Sequence, residues 1–254
     1  MTNTHLFFNT SIGKQKPNSI RNKEQVCPFC QREQLTNIIA EEGPIIWLEN
    51  KYPVLENAHQ TVLIETDKCN SELSQYDDKH LVSLITFGLD KWLSMEKSDK
   101  YKSVIFFKNH GPHSGGSIAH PHMQIVGLYD IVYQHKVQVD DFVGELIDQH
   151  GDTEFSLSNK PRIGFYEFNV KLGEKRDIAA FAKYIQMATK YILRDFPFTC
   201  NSYNLFFYHF ENEIYAKIVP RYVTSPLFIG FFLPQVPNNI MWMVKDIQSK
   251  YVQL

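Results

Sequence analysis

The chain has 254 residues, of which 43% are hydrophobic and 14% aromatic, with a formal charge of −2. That is enough apolar matter for one large domain or two small ones without a disulfide framework. The near-neutral charge argues against a general nucleic-acid binder, and no apolar run reaches the ~18 residues of a membrane span. Met1 to Lys16 lacks the apolar stretch of a signal peptide, so the expected location is the cytoplasm.

In chain order, residues 1–26 are polar and aperiodic and read as an extended arm. Ile45 to Leu48 and Thr61 to Glu65 read as strands flanking a turn at Asn57. Gln75 to Ser94 reads as a helix, with Leu81, Leu84, Ile85, Leu89 and Trp92 on one face. Val104 to Phe107 and His120 to Gly127 are the next strands, and Asp140 to Gln149 suggests a short helix. The order then recurs. Ile163 to Val170 is a strand, and Asp177 caps a helix that Pro197 stops. Tyr203 to Phe210 and Ile214 to Pro220 form a hairpin around Glu211-Asn212. The expectation is an α+β fold of two similar halves, each an antiparallel sheet with a packed helix. The halves would be residues 27–150 and 160–254.

The chemistry concentrates in Phe107 to Gln124. Gly115, Gly116 and Ser117 form a small-residue loop that lets backbone N–H groups and a hydroxyl approach an anion. The loop runs into a strand on which His120, His122 and Gln124 share a face, because side chains alternate. An imidazole beside a phosphate cradle can attack phosphorus and carry a nucleotidyl group. A lone strand histidine is more often packing or surface; here the glutamine two residues on and the loop before it favour chemistry. His110 and His113 are the weaker candidates, in keeping with solvent-exposed loop residues. Asn109 and Gly111 also fit an ordinary turn. Cys27-Pro28-Phe29-Cys30 is half of a structural zinc site or, alternatively, a redox pair.

Three segments in order resemble the galactose-1-phosphate uridylyltransferase branch of the histidine-triad superfamily. They are the Cys27-Pro28-Phe29-Cys30 knuckle, Glu49-Asn50-Lys51-Tyr52-Pro53, and the stretch from Phe107 to Gln124. The resemblance is firm over about residues 20–127 and weaker over 160–240. It implies that His122 is the nucleophile and that Gln124 hydrogen-bonds the phosphate. It implies that Gly115, Gly116 and Ser117 cradle the same oxygens, that Asn109 lies beside the nucleotide, and that Asn50 and Lys51 contact the nucleoside. The substrate it implies is a nucleotide sugar or dinucleotide, and a homodimer is compatible with it.

The resemblance further implies a zinc ion held by Cys27, Cys30 and His120. At the fourth position the family's histidine is missing; Cys69 stands nearby, with His59 and His80 as the alternatives. Cys₃His is a sound zinc set. In the second half, Tyr215 and Lys217 stand where the family repeats a His-x-His, so no second metal is expected there. Lys217 and Arg221 are either contacts to a sugar phosphate or structural charge. Two functions remain open: a nucleotidyltransferase, or an inactive nucleotide-binding or scaffolding protein that kept the fold and the metal site.

Overall fold

The structure is a computed structural model that describes residues 5–20, 22, 26–210 and 212–252. Part of the expected arm, and Glu211 of the expected hairpin turn, lie outside the described residues. The chain divides into two compact units. One runs up to Glu72 and takes in Ser83–Lys136; the other comprises Leu73–Val82 and the chain from Val137 on.

The first unit contains α1 (Thr10–Gly13), β1 (Ile38–Glu42), β2 (Ile45–Glu49), β3 (Ala58–Ile64), the greater part of α2 (Asp78–Lys97), β4 (Ser103–His110) and β5 (His122–Leu128). Its strands lie in the order β1-β2-β3-β5-β4, and those pairs are antiparallel. Helix α2 lies close against this sheet. A Cβ on Gly88 would fall 2.7 Å from the Phe106 ring and 3.6 Å from Leu63, so only glycine permits that approach. Leu63 and Phe106 pair with Met123 and Ile125, which puts Met123 and Ile125 on the helix face of β5. Alternation then turns His122 and Gln124 to the opposite face.

The second unit contains β6 (Gly144–His150), β7 (Thr153–Ser158), β8 (Phe168–Leu172), α3 (Ile178–Arg194), β9 (Tyr203–Phe210), β10 (Glu213–Pro220), α4 (Pro226–Phe231) and α5 (Ile240–Tyr251). Its strand order is β6-β7-β8-β10-β9, the same wiring as in the first unit. Asp177 caps α3 by accepting from the Ala180 N–H at 3.0 Å. The inner face of α3 buries Phe181, Ile185, Ala188 and Ile192, each larger side chain contributing about 1.5–3 kcal/mol. The fold is α+β in two similarly wired halves.

Three local expectations are corrected. Asp140 to Gln149 is not a helix: Val139–Phe142 is one 3-10 turn and the rest is β6. The Asp140-Asp141 pair mimics a helix start and masks the strand behind it. The strand expected from Ile163 begins only at Phe168. Gly164 and Phe165 have φ of +133° and +61°, and the Glu167 carboxylate gathers the N–H groups of Arg162 and Ile163 at 2.9 and 2.8 Å, which makes a loop. The N-terminal segment is not simply extended. It contains α1, capped by Asn9 Oδ1 on the N–H groups of Ser11 and Ile12.

Candidate functional site

A cavity of about 500 Å³ opens in the first unit on the face of β5 that carries His122 and Gln124. Its wall includes the ends of β2 and β4, the loop before β5 and part of the N-terminal segment. Asn50 and Lys51 line it, as do Asn109, Gly115, Gly116 and Ser117. All eight residues assigned from the sequence to chemistry or substrate therefore meet in one place. His110 and His113 are not among the lining residues.

Each is held for a local reason. Asn50 closes a turn by accepting from the Tyr52 N–H at 2.9 Å, just after β2 ends. Gly115 has φ +85°, a left-handed conformation that a side chain would strain. A Cβ on Gly116 would lie 3.2 Å from Asn109 Cβ, so the loop sits tightly on Asn109. The Ser114 hydroxyl donates to the Gly111 carbonyl at 2.7 Å and accepts from Gly116 N–H at 3.3 Å, which ties the loop to itself.

His122 is 8% exposed. Its Nδ1 lies 2.8 Å from the His120 carbonyl. A carbonyl only accepts, so Nδ1 carries the proton and Nε2 keeps its lone pair. Burial pushes the ring's pKa down to about 4, and the positive charge of Lys108 adds to the shift against the pull of the His120 carbonyl. The imidazole is therefore neutral at pH 7. Lys108 itself is buried and ion-paired with Glu65.

Beside this lies a second cluster. One ligand atom from each of Cys27, Cys30, Cys69 and His120 falls within 4.8 Å of the others. His120 Nδ1 is 3.6 Å from Cys27 Sγ and 3.5 Å from Cys30 Sγ. A tetrahedral zinc with bonds of about 2.3 Å to sulfur and 2.0 Å to nitrogen requires an S···N edge of about 3.5 Å. His120 Nε2 donates to the Thr66 carbonyl at 2.8 Å, which leaves Nδ1 as the nitrogen facing the sulfurs. Burial opposes ionisation of Cys27, yet its contact with the His120 ring and nearby backbone N–H groups hold the thiol down to about 6. Burial and neighbouring thiols push Cys69 up to about 12. Crowded thiols of this kind ionise together only around a cation. The four residues could hold a metal ion. His59 and His80, the alternative ligands, are engaged elsewhere: His59 with Glu49 and Tyr101, His80 against the Tyr76 ring.

Sequence reasoning missed three residues of the site. Phe29, inside the Cys-x-x-Cys turn, meets the His122 and His120 rings edge-on at 5.4 and 5.8 Å. Lys16 and Pro17 line the cavity from the N-terminal segment. That segment is held at one end by Asn9 N–H on the Val54 carbonyl (2.7 Å) and at the other by Ile20 N–H on the Ser117 carbonyl (3.2 Å). Burial lowers the Lys16 pKa, and no carboxylate pairs with it among the described residues. The polar, aperiodic segment gave no signal beyond a Lys-Pro pair.

In the second unit, Phe207 packs on Phe181 of α3 and pairs with Ala216, so Tyr215 and Lys217 lie on the face away from α3. They correspond in face to His122 and Gln124. Tyr215 stacks on Phe142, and Lys217 is buried against Glu167 at 3.0 Å and Asn169 at 2.7 Å. Arg221 donates to Asn204 Oδ1 at 2.9 Å. Both cations have partners within the unit. No helix among the described residues is long and apolar enough to cross a membrane.

Residues 8–131 match the DUF4931 N-terminal domain, a domain of unknown function, and residues 134–252 its C-terminal domain. A DUF4931 family protein from Bacillus cereus is 44% identical, with a TM-score of 0.78 over 85% of this chain and 100% of that one. A uridylyltransferase shares the fold at 16% identity and TM-score 0.70, covering 89% of this chain and 91% of its own. So does an ADP-glucose phosphorylase from Arabidopsis thaliana with bound ADP-glucose, at 15% identity and TM-score 0.71, covering 93% and 95%. None of the curated proteins matches the sequence. The chain shares its fold with a uridylyltransferase and an ADP-glucose phosphorylase, and it belongs to the DUF4931 family.

Proposed function

We propose that the protein is a nucleotidyltransferase that moves a nucleoside monophosphate from a nucleotide sugar or dinucleotide to a phosphate acceptor through a covalent bond to His122. The observation that carries the reading is the neutral, tautomer-fixed His122 in one cavity with Gln124, the Gly115-Gly116-Ser117 loop, Asn109, Asn50 and Lys51. The ADP-glucose bound to the phosphorylase of the same fold supports the substrate class.

In the first half-reaction the Nε2 lone pair attacks the α-phosphorus. The P–N bond forms as the P–O bond to the sugar phosphate breaks, and the leaving oxygen takes that electron pair. The ring becomes cationic, and Nδ1–H on the His120 carbonyl stabilises it. In the second, an oxygen of the acceptor phosphate attacks the same phosphorus and the P–N electrons return to Nε2. Little covalent work falls to the protein beyond positioning and charge stabilisation. Gln124, Ser117 and the loop backbone hold the phosphoryl oxygens. Lys16, a half-buried cation that no carboxylate among the described residues pairs with, offers charge for the diphosphate.

Cys27, Cys30, Cys69 and His120 would hold zinc as a structural ion, fixing the turn that presents His122. The second unit, whose repeat starts at β6 rather than at residue 160, is then a degenerate second copy of the first. Free thiols in this arrangement suit a reducing cytoplasm.

Isotope exchange tests the reading. Labelled sugar phosphate should enter a matching nucleotide sugar with no other acceptor present, as ping-pong transfer requires. His122→Ala should abolish exchange with melting temperature and zinc content unchanged. Nucleotide binding without exchange across a panel of nucleotide sugars and dinucleotides would replace this reading with that of a scaffolding protein.

A further inference from the structure

The Cys27, Cys30, Cys69 and His120 cluster runs from the core to the surface. His120 is fully buried, Cys27 and Cys69 are half-buried, and Cys30 stands exposed. A cysteine ligates a metal as the thiolate, which is also the form that attacks an oxidant. Cys30 presents that sulfur to solvent, and a partner is in reach. The Cys30 N–H donates to the Cys27 carbonyl at 3.3 Å, closing a turn whose end Cα atoms lie within about 7 Å. Disulfides span Cα separations of about 4.4–6.8 Å. The two sulfurs already face one point, within 4.8 Å of each other. The same turn is a wall of the cavity. Pro28, Phe29 and Gln31 line it, and the Phe29 ring meets both His120 and His122. His120 joins the two sites directly: its Nδ1 faces the sulfurs, and its carbonyl accepts the Nδ1–H of His122.

We propose that Cys27 and Cys30 form an oxidation site that controls the His122 cavity: a hydroperoxide links the two sulfurs, the zinc leaves, and the wall that fixes His122 loosens. The Cys30 thiolate attacks one peroxide oxygen. The O–O bond breaks, and hydroxide leaves with its electron pair, giving a sulfenic acid on Cys30. The Cys27 thiolate then attacks that sulfur. The S–S bond forms, the S–O bond breaks, and a second hydroxide leaves. Two thiolates have lost two electrons in all, and the peroxide has taken them. The bridged sulfurs are no longer thiolate ligands, so Cys69 and His120 are left as half of a tetrahedral set. Without the ion His120 loses its hold on the knuckle, and its carbonyl is freed to shift away from His122. A dithiol reduces the bridge and returns both ligands. The inference rests on the zinc reading of the cluster and not on the transfer chemistry.

Hydrogen peroxide in moderate excess over the zinc-loaded full chain tests this. A chromogenic chelator should read loss of the zinc, and peptide mapping should place a disulfide between Cys27 and Cys30. Hydrogen exchange should rise in the peptide carrying residues 118–124. Dithiothreitol followed by zinc should reverse all three. Cys200→Ser, which removes the buried thiol of the second unit, should respond as the wild type does. Cys30→His keeps a fourth ligand without the exposed thiol and should retain its zinc under the same treatment. A wild type that holds its zinc against peroxide overturns the inference, as does a disulfide formed elsewhere. Zinc loss with the Cys27–Cys30 bridge but unchanged exchange around His122 overturns it too, since nothing then reaches the cavity. Protein that carries no metal when purified under reducing conditions removes its basis. None of these readouts needs turnover, so a protein that transfers nothing would end the transferase reading and leave this one standing.

Discussion

Glu167 and Lys217 offer a sharp test of how the second unit uses its charge. Both side chains are at most 1% exposed and lie 3.0 Å apart. The carboxylate also accepts backbone N–H bonds from Arg162, Ile163 and Gly164. Among the described residues the ammonium has Asn169 Oδ1 and the face of Phe142, 5.4 Å from its centroid, besides. Breaking a buried pair from one side costs about 3–5 kcal/mol, and the better-supported survivor costs less. Lys217→Met leaves a carboxylate with three donors, so the loss should be near the low end, about 3 kcal/mol. Glu167→Gln strands the ammonium and should cost about 5 kcal/mol. At 2–4 °C per kcal/mol the falls in melting temperature are about 6–12 and 10–20 °C. The double variant should lose less than Glu167→Gln alone, because no buried charge is left unpaired. Thermal and urea unfolding by circular dichroism, with nucleotide affinity in parallel, read the result. A Lys217→Met protein as stable as wild type but with weakened nucleotide binding would refute the structural assignment and restore Lys217 as a substrate contact.

Cys27→Ser should lose zinc and stability together in metal analysis and melting, since the ion's binding energy is folding energy. Cys69→Ala should lower zinc affinity without moving the ligand role to His59 or His80; full retention of zinc would remove Cys69 from the set. Gln124→Ala should slow transfer by about 10²–10³-fold with zinc intact, the loss of one donor to the transferring group. Lys16→Met should weaken binding of diphosphate-containing substrates by about tenfold, one charge-assisted hydrogen bond at 1.4 kcal/mol, while leaving nucleoside binding unchanged.

The site was legible because its parts sit in short, regular pieces of chain. His122 and Gln124 share a face by strand alternation, His120 stands just ahead of β5 among the cysteines, and Cys27-x-x-Cys30 declares itself by spacing. Cys69 was placed by the resemblance, where the family's histidine is missing, and its sulfur falls within the cluster. The helices read well where caps and apolar stripes agree, as at Asp177. What stayed hidden depends on distant partners. Lys16 reaches the cavity because Asn9 and Ile20 are pinned by Val54 and Ser117, contacts no local pattern encodes. Strand β1 exposes Ile38 and Ile39 and so lacks the alternation that marks a half-buried strand. Strand β6 hid behind two aspartates that imitate a helix start, and the loop at Arg162–Gly164 exists because Glu167 collects its N–H groups.

Intact-protein mass spectrometry, after brief incubation with a panel of nucleotide sugars and dinucleotides, tests the central claim most directly. The account predicts a gain of one nucleoside monophosphate on the wild type, acid-labile as a P–N bond should be, mapped to the peptide of His122 and absent from His122→Ala. A label carried undiminished by His122→Ala, or a nucleotide that binds the wild type and never labels it, would contradict it.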